Sequence, residues 1–276
     1  MQKDRSLEGL KVIMIGAHPD DCELKAGASA ARWAEEGARV QLVSLTNGDA
    51  GHHISGGGEL ARRRMAEAAC SAEILGVSSL VLDYHDGELT PTLDLRRDVI
   101  RSIRRWQADV VISHRPNDYH PDHRYAAQVV QDAAYMVLVP NVCPDAPPLA
   151  KNPVFMYFPD HFRKPLPFRP DVIVDATSVM EKKIRSLDAM DSQMYEWLPW
   201  IDRQLDQVPA DHEKRLEYLK SFWAEHFRSS AQEFKDLLVE RYGPQKAARV
   251  QYAEAFELCE YGGRPSREEL WRLFPR

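Results

Sequence analysis

The segment KVIMIGAHPDDCELKAG, residues 11–27, decides the fold of this chain. Its first seven residues are mainly apolar and rich in Val and Ile, which predicts a buried parallel strand over residues 11–17. Small and apolar residues at helical spacing follow, and they predict a helix over residues 24–36. One histidine and two aspartates therefore lie between a strand and a helix. In open α/β sheets, ligands bind at this place, beside the carboxyl ends of the strands.

The turn between the two elements reads His18-Pro19-Asp20-Asp21. Pro19 stiffens it because the proline ring fixes one backbone angle, and the start of a helix favours ionised carboxylates. A single aspartate here would be explained as a helix cap. Two acids and a histidine packed against an apolar strand indicate a functional site instead.

The rest of the chain alternates between predicted strands and helices with short connections. The further strands are expected over residues 39–46, 80–84, 109–113, 154–158 and 172–174, and the further helices over residues 59–75, 93–106, 123–139, 177–197 and 211–242. Residues 251–261 fit either a closing strand or a helix. This alternation predicts an α/β fold with a doubly wound, mostly parallel, Rossmann-like sheet and helices on both faces.

The predicted C-terminal helices carry two local signals. Thr177 or Ser178 is expected to cap the helix that follows the sixth strand, with Glu181 completing a capping box. The long amphipathic pattern after it is compatible with a break near Ser229. Gly76 follows the second helix at the position where glycine commonly ends a helix.

Length and charge restrict the class of protein. A chain of 276 residues is long enough for one large α/β domain. We expect a single domain over residues 1–276, with a core over about 9–192 and a C-terminal helical extension over about 193–276. The formal net charge of −6 argues against a general nucleic-acid or membrane-surface binder.

The sequence also bears on location and on the cysteines. No apolar stretch approaches the roughly 20 residues that span a bilayer, and the opening MQKDRSLEGL lacks the apolar segment of a secretory signal. We therefore expect a cytoplasmic protein. Four dispersed cysteines without CxxC spacing imply neither a disulfide framework nor a thiolate zinc site. Cys22 is expected to pack on the first helical turn.

A second dense group of polar residues follows the fourth predicted strand, where residues 113–127 read SHRPNDYHPDHRYAA. Its segment HPDH, residues 120–123, repeats the form of the first turn. In the common doubly wound order the first and fourth strands are neighbours across the switch point. The two loops should therefore face each other, which argues against an incidental group of surface histidines.

Two neutral imidazoles and one carboxylate, with open positions left for water, form a catalytic zinc site. His18, Asp21 and His123 could supply them. Asp20 suits the role of general base toward a water that the metal acidifies. His120 suits a group that stabilises the oxyanion or protonates the leaving amine.

Three residues of the second loop remain beside this set. Asp122 or Asp118 could orient the ring of His120. His114, taken alone, is better explained as a structural residue than as a ligand. The histidines at positions 52 and 53 are expected to be loop residues, either of which could touch the substrate.

These two motifs, AHPDD at residues 17–21 followed by Glu23 and HPDH at residues 120–123, resemble those of the LmbE-like or PIG-L family of metal-dependent deacetylases. The resemblance covers roughly residues 11–192. Enzymes of this family remove N-acetyl groups from glucosamine conjugates, including intermediates of mycothiol, bacillithiol and glycosylphosphatidylinositol biosynthesis. The resemblance implies the same metal ligands, the same base and an electrostatic or acid role for His120. It further implies that Arg64 meets the substrate and that Asp86 contacts the sugar.

Besides Cys22 between the Asp pair and Glu23, two departures from the family pattern bear on the turn and on the substrate. Lys25-Ala26-Gly27-Ala28 stands where the family has a glycine pair. Asp118 stands where the mycothiol-type enzymes have a tyrosine, with Tyr119 adjacent. The second departure leaves open both a tyrosine acid and a mycothiol-type substrate.

The leading hypothesis is a zinc-dependent hydrolase that removes the N-acetyl group from an N-acetylglucosamine-type conjugate, with metal-bound water as nucleophile. The same two-His, one-carboxylate set could instead hold Fe²⁺, but Asp20 then has no evident task. A non-catalytic nucleotide-binding domain is a weaker alternative, because the turn lacks G-x-G-x-x-G and its acids would repel a pyrophosphate. The expected partners are a small amino-sugar conjugate and further copies of the chain. The loops over residues 47–58, 140–153 and 159–170 should set specificity.

Overall fold

The computed structural model describes residues 7–276, apart from the side chains at positions 224–226 and 229. The described strands are β1 (Lys11–Gly16), β2 (Arg39–Thr46), β3 (Ser78–Tyr84), β4 (Val110–Ser113), β5 (Val154–Tyr157), β6 (Val172–Asp175) and β7 (Ala253–Gly262). The described α-helices are α1 (Asp21–Glu35), α2 (Gly57–Leu75), α3 (Leu93–Trp106), α4 (Pro121–Met136), α5 (Met180–Asp188), α6 (Leu198–Ile201), α7 (His212–Glu233), α8 (Lys235–Tyr242), α9 (Pro244–Ala247) and α10 (Arg267–Arg272). Short 3-10 turns lie at Thr177–Val179 and Leu205–Gln207, and Ser192–Trp197 is a π-helical segment.

The strands form one sheet in the order β3-β2-β1-β4-β5-β7-β6. β1 pairs in parallel with β2 on one side and with β4 on the other. The predicted α/β class and the adjacency of the first and fourth strands are therefore confirmed. Because both strands end at the same edge, the loops that follow them meet there.

The sheet is buried on both faces. Along β1, Val12 and Met14 belong to one apolar cluster with Trp33 of α1, whereas Ile13 and Ile15 belong to another cluster on the opposite face. Successive side chains of a strand point to opposite faces. A strand covered on both faces must be apolar throughout, which explains why the opening run of the chain shows no alternation.

Residues 251–261, for which a strand and a helix were both open, form β7. It lies antiparallel between β5 and β6, so the C-terminal extension is helical only in part. The extension also completes the sheet through β7. We therefore propose that residues 7–276 act as one domain, in which residues 193–276 are integral to the fold.

The prediction of one continuous helix over residues 177–197 is wrong. A 3-10 turn, α5 and the π-helical segment replace it, and the predicted capping box is not formed. The Thr177 hydroxyl instead accepts hydrogen bonds from the backbone N–H groups of Gln251 and Tyr252, and Glu181 bonds Arg185. A capping box does form at α10, between Ser266 and Glu269, where the sequence analysis predicted no helix.

The long helix over residues 211–242 breaks at Phe234, between α7 and α8, five residues beyond the expected place. The ring of Phe234 packs edge-on against Phe168 at 5.9 Å between centroids, so the residue at the break makes a contact that is distant in sequence. The side chain of Ser229 lies outside the described residues. Gly76 ends α2 in the left-handed conformation (φ 79°), as predicted.

None of the helices in the described part of the chain is long and apolar enough to cross a membrane. All four cysteines are free, and Cys22 is buried on the first turn of α1. The opening residues used to judge a secretory signal lie partly outside the described range. The cytoplasmic location stays a prediction.

Candidate metal centre and active site

The turn after β1 and the loop after β4 meet at the edge of the sheet. The ring centroids of His18 and His123 are 5.1 Å apart, and that of His120 is 4.6 Å from His18. Sequence reasoning predicted that these two distant segments would face each other. The geometry brings their histidines into one cluster.

The first turn is folded tightly against the end of β1. A Cβ on Gly16 would lie 2.7 Å from the Cβ of Asp21, so only glycine allows this close approach. The Asp21 carboxylate accepts hydrogen bonds from the backbone N–H groups of Ala17 (2.9 Å) and His18 (2.8 Å). Asp20 occupies the N-cap position of α1 but makes no side-chain cap hydrogen bond, so capping does not account for its carboxylate.

The second loop ends in α4, which begins two residues earlier than expected because Pro121 takes its first turn. His120 is the N-cap, and its Nδ1 accepts a hydrogen bond from the Asp122 backbone N–H at 3.2 Å. That bond makes Nε2 the N–H donor of a neutral His120 ring. His123 lies in the first helical turn of α4, and its side chain is directed toward the loop that follows β1.

Three side chains, those of His18, Asp21 and His123, bring possible ligand atoms close together. His18 Nδ1 lies 3.2 Å from His123 Nε2, and Asp21 lies 3.3 Å from His123 Nε2 through Oδ1 and 3.5 Å from His18 Nδ1 through Oδ2. Two ligands bound to zinc at roughly 2.0–2.1 Å with tetrahedral angles are about 3.4 Å apart. The spacing therefore fits one zinc-sized ion held by two imidazoles and a carboxylate.

Carboxylates behind the two histidines set their tautomers. His18 Nε2 lies 3.2 Å from Asp86 Oδ1 and 3.2 Å from Asp122 Oδ2, and His123 Nδ1 lies 3.0 Å from Asp118 Oδ1. These nitrogens are thus the N–H donors. The lone pairs of His18 Nδ1 and His123 Nε2 remain for a metal, as in carboxylate–histidine–zinc arrangements.

The carboxylates of Asp118 and Asp122 support the rings of histidines other than the one predicted. One or the other was expected to orient the ring of His120, but the carboxylates contact His123 and His18, whereas the His120 ring is bonded by the backbone N–H of Asp122. The reason is backbone geometry. Asp122 lies in the first turn of α4 and accepts hydrogen bonds from Gly87 N–H (2.7 Å) and Leu89 N–H (3.2 Å), which turns its carboxylate away from the adjacent His120.

Other groups of possible ligands overlap with this trio. Their ligand atoms lie within 4.8 Å of one another in the sets His18, His120 and His123; Asp21, His114 and His123; and His18, Asp86 and Asp122. Within these sets, His120 Nδ1 accepts a backbone hydrogen bond, Asp122 accepts two, and His114 Nε2 lies 3.2 Å from the Ala17 nitrogen and 3.1 Å from Asp21 Oδ2. Among the described hydrogen bonds, His18 Nδ1, His123 Nε2 and Asp21 Oδ1 accept none from the backbone, whereas Asp21 Oδ2 accepts two. The trio of His18, Asp21 and His123 therefore leaves the better set of lone pairs.

Asp86 and Arg64, which the family resemblance assigned to the substrate, both lie in the cluster and face protein groups. One Asp86 oxygen contacts His18, and the other lies 3.6 Å from Arg64 Nη1. Arg64 Nη2 donates to Asp20 Oδ2 at 3.0 Å, and the arginine is buried. A Cβ on Gly48 or Gly51 would lie within 3 Å of the guanidinium. These glycines therefore let the loop close over Arg64.

The two adjacent aspartates differ in charge environment. Burial raises the pKa of Asp20, although the nearby Arg64 opposes the shift. Burial would also raise the pKa of Asp21, but His123 and His114 hold it well below its usual range. Asp21 is thus suited to remain a charged ligand, and Asp20 is suited to exchange a proton.

The histidines show the complementary effect. Burial would lower the pKa of His18, but hydrogen bonds to Asp122 and two further carboxylates raise it well above its usual range. The pKa of His123 is raised to about 9 because Asp21 and Asp118 outweigh its burial. Carboxylates on both sides of two imidazoles stabilise positive charge at this point, which is the environment of a bound cation.

Sequence reasoning underestimated two residues. His114 is buried, stacks on His123 with 4.1 Å between ring centroids, and lies 3.1 Å from Asp21 Oδ2 through Nε2. It supports two members of the trio, and its place directly after β4 was the available signal. Glu23 is buried beside the acidic pair, and burial raises its pKa to about 8.

The loop over residues 47–58 depends on the C-terminal region, which sequence patterns did not indicate. His52 Nε2 bonds Glu196 at 2.7 Å, and Gln193 donates to the Gly51 carbonyl at 3.1 Å. Both partners lie on the π-helical segment, a type of irregularity found often at functional sites. The C-terminal region therefore shapes one border of the site.

The chain is similar to several known proteins over much of its length. The family model for GlcNAc-PI de-N-acetylase (PIG-L) matches residues 13–134. The diacetylchitobiose deacetylase of Thermococcus kodakarensis is 32% identical over 208 residues, which cover 69% of this chain and 74% of that protein. The 4-oxalmesaconate hydratase of Pseudomonas putida is 28% identical over 204 residues, which cover 71% of this chain and 79% of that protein.

A solved structure of N,N′-diacetylchitobiose deacetylase from Pyrococcus horikoshii has the same fold. The TM-score is 0.69 at 25% sequence identity, and the alignment covers 94% of this chain and 87% of that chain. The chain belongs to the PIG-L, or LmbE-like, family of enzymes. The resemblance seen in its two motifs is confirmed.

Proposed function

We propose that this protein is a zinc-dependent hydrolase that removes the acetyl group from the nitrogen of an N-acetylglucosamine-type conjugate. One observation carries the proposal. His18 Nδ1, His123 Nε2 and the Asp21 carboxylate converge within 3.5 Å, while Asp86, Asp118 and Asp122 hold the opposite ring nitrogens. This donor set suits a catalytic zinc site with open positions.

When bound, a divalent ion at such a site polarises a carbonyl oxygen and lowers the pKa of a coordinated water. The same donor set can hold Fe²⁺. Zinc is favoured because the site also contains Asp20, a buried acid outside the ligand trio that has no evident task in the oxygen chemistry of an Fe²⁺ site. Metal analysis of the purified protein tests this choice directly.

Asp20 is proposed to move the protons of the reaction. It takes one from the attacking water and passes it to the nitrogen of the departing amine, as a general base and then a general acid. Burial raises its pKa, and Arg64 holds one carboxylate oxygen at 3.0 Å. The other oxygen faces no partner among the described hydrogen bonds and is the one assigned to proton transfer.

His120 is proposed to stabilise the developing oxyanion. Its Nδ1 is engaged by the Asp122 backbone N–H, which leaves the Nε2–H as a donor. The ring lies against both proposed histidine ligands, with centroids 4.6 Å from His18 and 5.0 Å from His123. A preoriented donor at this place would act where negative charge forms.

The charge of the site supports an amide substrate over the polycarboxylate that the name of the hydratase relative implies. The buried acids of the cluster are Asp20, Asp21, Glu23, Asp86 and Asp122. Among the described ion pairs of these acids, Arg64 is the arginine partner, and Asp20 already engages it. Three arginines next in sequence to site residues, Arg63, Arg115 and Arg124, bond other protein groups. An acidic cluster favours a neutral substrate and a cationic amine product.

The test is a panel of N-acetylglucosamine conjugates offered to zinc-loaded and metal-depleted protein, with released acetate and free amine both quantified. We expect stoichiometric acetate and amine from at least one conjugate, and only with metal. A parallel assay offers an unsaturated tricarboxylate and follows water addition. Turnover of the tricarboxylate without amide cleavage would replace the deacetylase proposal by a hydratase. A homo-oligomer stays a prediction, to be checked by measuring the mass in solution.

A further inference from the structure

Helix α1 is interrupted close to the proposed metal site. Ala26 has φ −147° and ψ 15°, which is not helical, inside the range Asp21–Glu35. The break separates a short first part, which carries Asp21, from a longer second part. It falls in the segment where the family pattern has a glycine pair and this chain has none. A helix break leaves backbone N–H and C=O groups without partners inside the helix.

A buried ion pair supplies those partners from two distant elements. Lys183 of α5 donates from Nζ to the Leu24 carbonyl at 2.7 Å. Glu254 of β7 accepts from the backbone N–H groups of Ala28 (3.1 Å) and Ser29 (2.6 Å). Lys183 and Glu254 are 2.7 Å apart, and their side chains are 1% and 5% exposed. The pair thus bonds the backbone on both sides of the break.

The signs of the two charges match the two helix ends that they meet. The Glu254 carboxylate lies at the N-terminal end of the second part of α1, where negative charge is stabilising, and the Lys183 ammonium lies at the C-terminal end of the first part, where positive charge is stabilising. A buried ion pair repays its desolvation only when further hydrogen bonds satisfy it. Here the unpaired backbone groups of α1 provide them.

The first part of α1 is therefore held at both ends. At one end the Asp21 carboxylate binds the N–H groups of Ala17 and His18. At the other end Lys183 binds the carbonyl of Leu24. We propose that Lys183 and Glu254 are positioning residues that fix the break and thereby place Asp20 and Asp21 against the second loop. This inference rests on the proposed function, since it takes Asp21 as a metal ligand.

The test measures metal affinity rather than activity alone. Lys183→Met, Glu254→Gln and the double variant are prepared, and Zn²⁺ affinity is measured by chelator competition below the unfolding temperature of each. We expect affinity to fall roughly 10- to 100-fold, the range seen when groups supporting a ligand are removed. The absorption spectrum of the Co²⁺-loaded protein should change, and kcat should fall more than KM rises. The double variant should also bind Zn²⁺ more weakly than the wild type. It buries no unpaired charge, but the backbone groups at the break still lack their hydrogen-bond partners.

Arg241→Met is the matched control. Arg241 of α8 is an equally buried cation that donates to the carbonyls of Ile173 and Phe274, away from the turn that carries the site. We expect a comparable loss of thermal stability with Zn²⁺ affinity and Co²⁺ spectrum unchanged. Should Lys183→Met not fold, the nearly isosteric Glu254→Gln carries the test.

Two outcomes would overturn the inference on its own: wild-type metal affinity in the pair variants, or an equal loss of affinity in the control. A wild-type protein that binds no divalent metal would instead overturn the proposed function, and this inference with it. Measuring the wild type first separates these failures.

Discussion

The two turns that form the site share the form His-Pro-Asp-x but divide the chemistry between them. Asp20 in the first turn and Asp122 in the second are equivalent by position in the motif. Asp20 faces Arg64, and burial raises its pKa. Burial would also raise the pKa of Asp122, but hydrogen bonds from His18 and the Gly87 backbone lower it. One motif therefore yields a proton-transfer group in one place and a fixed anion in the other.

The difference arises from the elements around each turn. The first turn closes against the end of β1, where Asp21 uses the local backbone N–H groups and leaves Asp20 to meet α2. The second turn opens α4, and Asp122 is drawn to the N–H groups after β3. The lesson is that a motif specifies residue types, while tertiary partners specify their protonation and role.

The largest effect on turnover is expected from Asp20→Asn. The change removes the proposed proton acceptor and keeps the shape and one hydrogen-bond acceptor for Arg64. We expect kcat to fall about 10²- to 10⁴-fold, with bound zinc near the wild-type stoichiometry by elemental analysis. Turnover close to wild type would show that Asp20 is not the base, and loss of the metal would show that it belongs to the ligand set.

Asp122→Asn tests the equivalent position of the second turn. It removes the charge behind His18 while preserving an oxygen for Gly87 and Leu89. We expect Zn²⁺ affinity to fall roughly 10- to 100-fold with kcat of the zinc-saturated enzyme little changed. Asp118→Asn, behind His123, should behave alike and serves as a matched variant. If Asp122→Asn instead lowers kcat at saturating zinc as much as Asp20→Asn does, the proposed division between the turns is wrong.

These pairings also show what the sequence could and could not predict. The strand-end positions of the two motifs predicted that His18, Asp20, Asp21 and His123 would meet, because strand order brings their loops together. Which carboxylate supports which histidine could not be predicted, since Asp118 and Asp122 adjoin His120 in sequence but face other rings. That choice depends on the start of α4 and on backbone donors about 35 residues away.

The C-terminal region was predicted less well for a related reason. Its helices are interrupted where side chains meet distant partners, such as Phe234 on Phe168 and Ser192 on Glu67, whose carboxylate accepts from the Ser192 N–H at 3.0 Å. Local periodicity does not record such contacts. The helical spacing of apolar residues in α3 and the largely apolar run of β2, by contrast, reflect burial directly, and the ends of both were predicted to the residue.

Gly16→Ala should disturb the first turn alone. The added Cβ would lie 2.7 Å from the Cβ of Asp21, so the turn must shift. Overpacking of this kind costs about 1–3 kcal/mol, and we expect a lower unfolding free energy together with weaker zinc binding. Gly27→Ala is the control in the same region, because its Cβ would meet no atom closer than 3.6 Å. Chemical denaturation and chelator competition measure both effects, and equal losses in the two variants would contradict the close-approach argument.

The smallest effect is expected from Pro121→Ala. This variant tests how much the proline that both motifs contain contributes to the second turn. Pro121 occupies the first turn of α4, where a missing N–H costs no helical hydrogen bond and the ring is already compatible with the backbone. Alanine can adopt the same conformation, so the change acts through the greater freedom of the unfolded chain and should lower the unfolding free energy by about 0.4–1 kcal/mol. Zinc affinity should stay at the wild-type value, because the contacts of Asp122 and His123 do not involve the ring. A loss of affinity as large as that of Asp122→Asn would mean that the proline itself places the ligands, and the two turns would then differ less than their side-chain partners suggest.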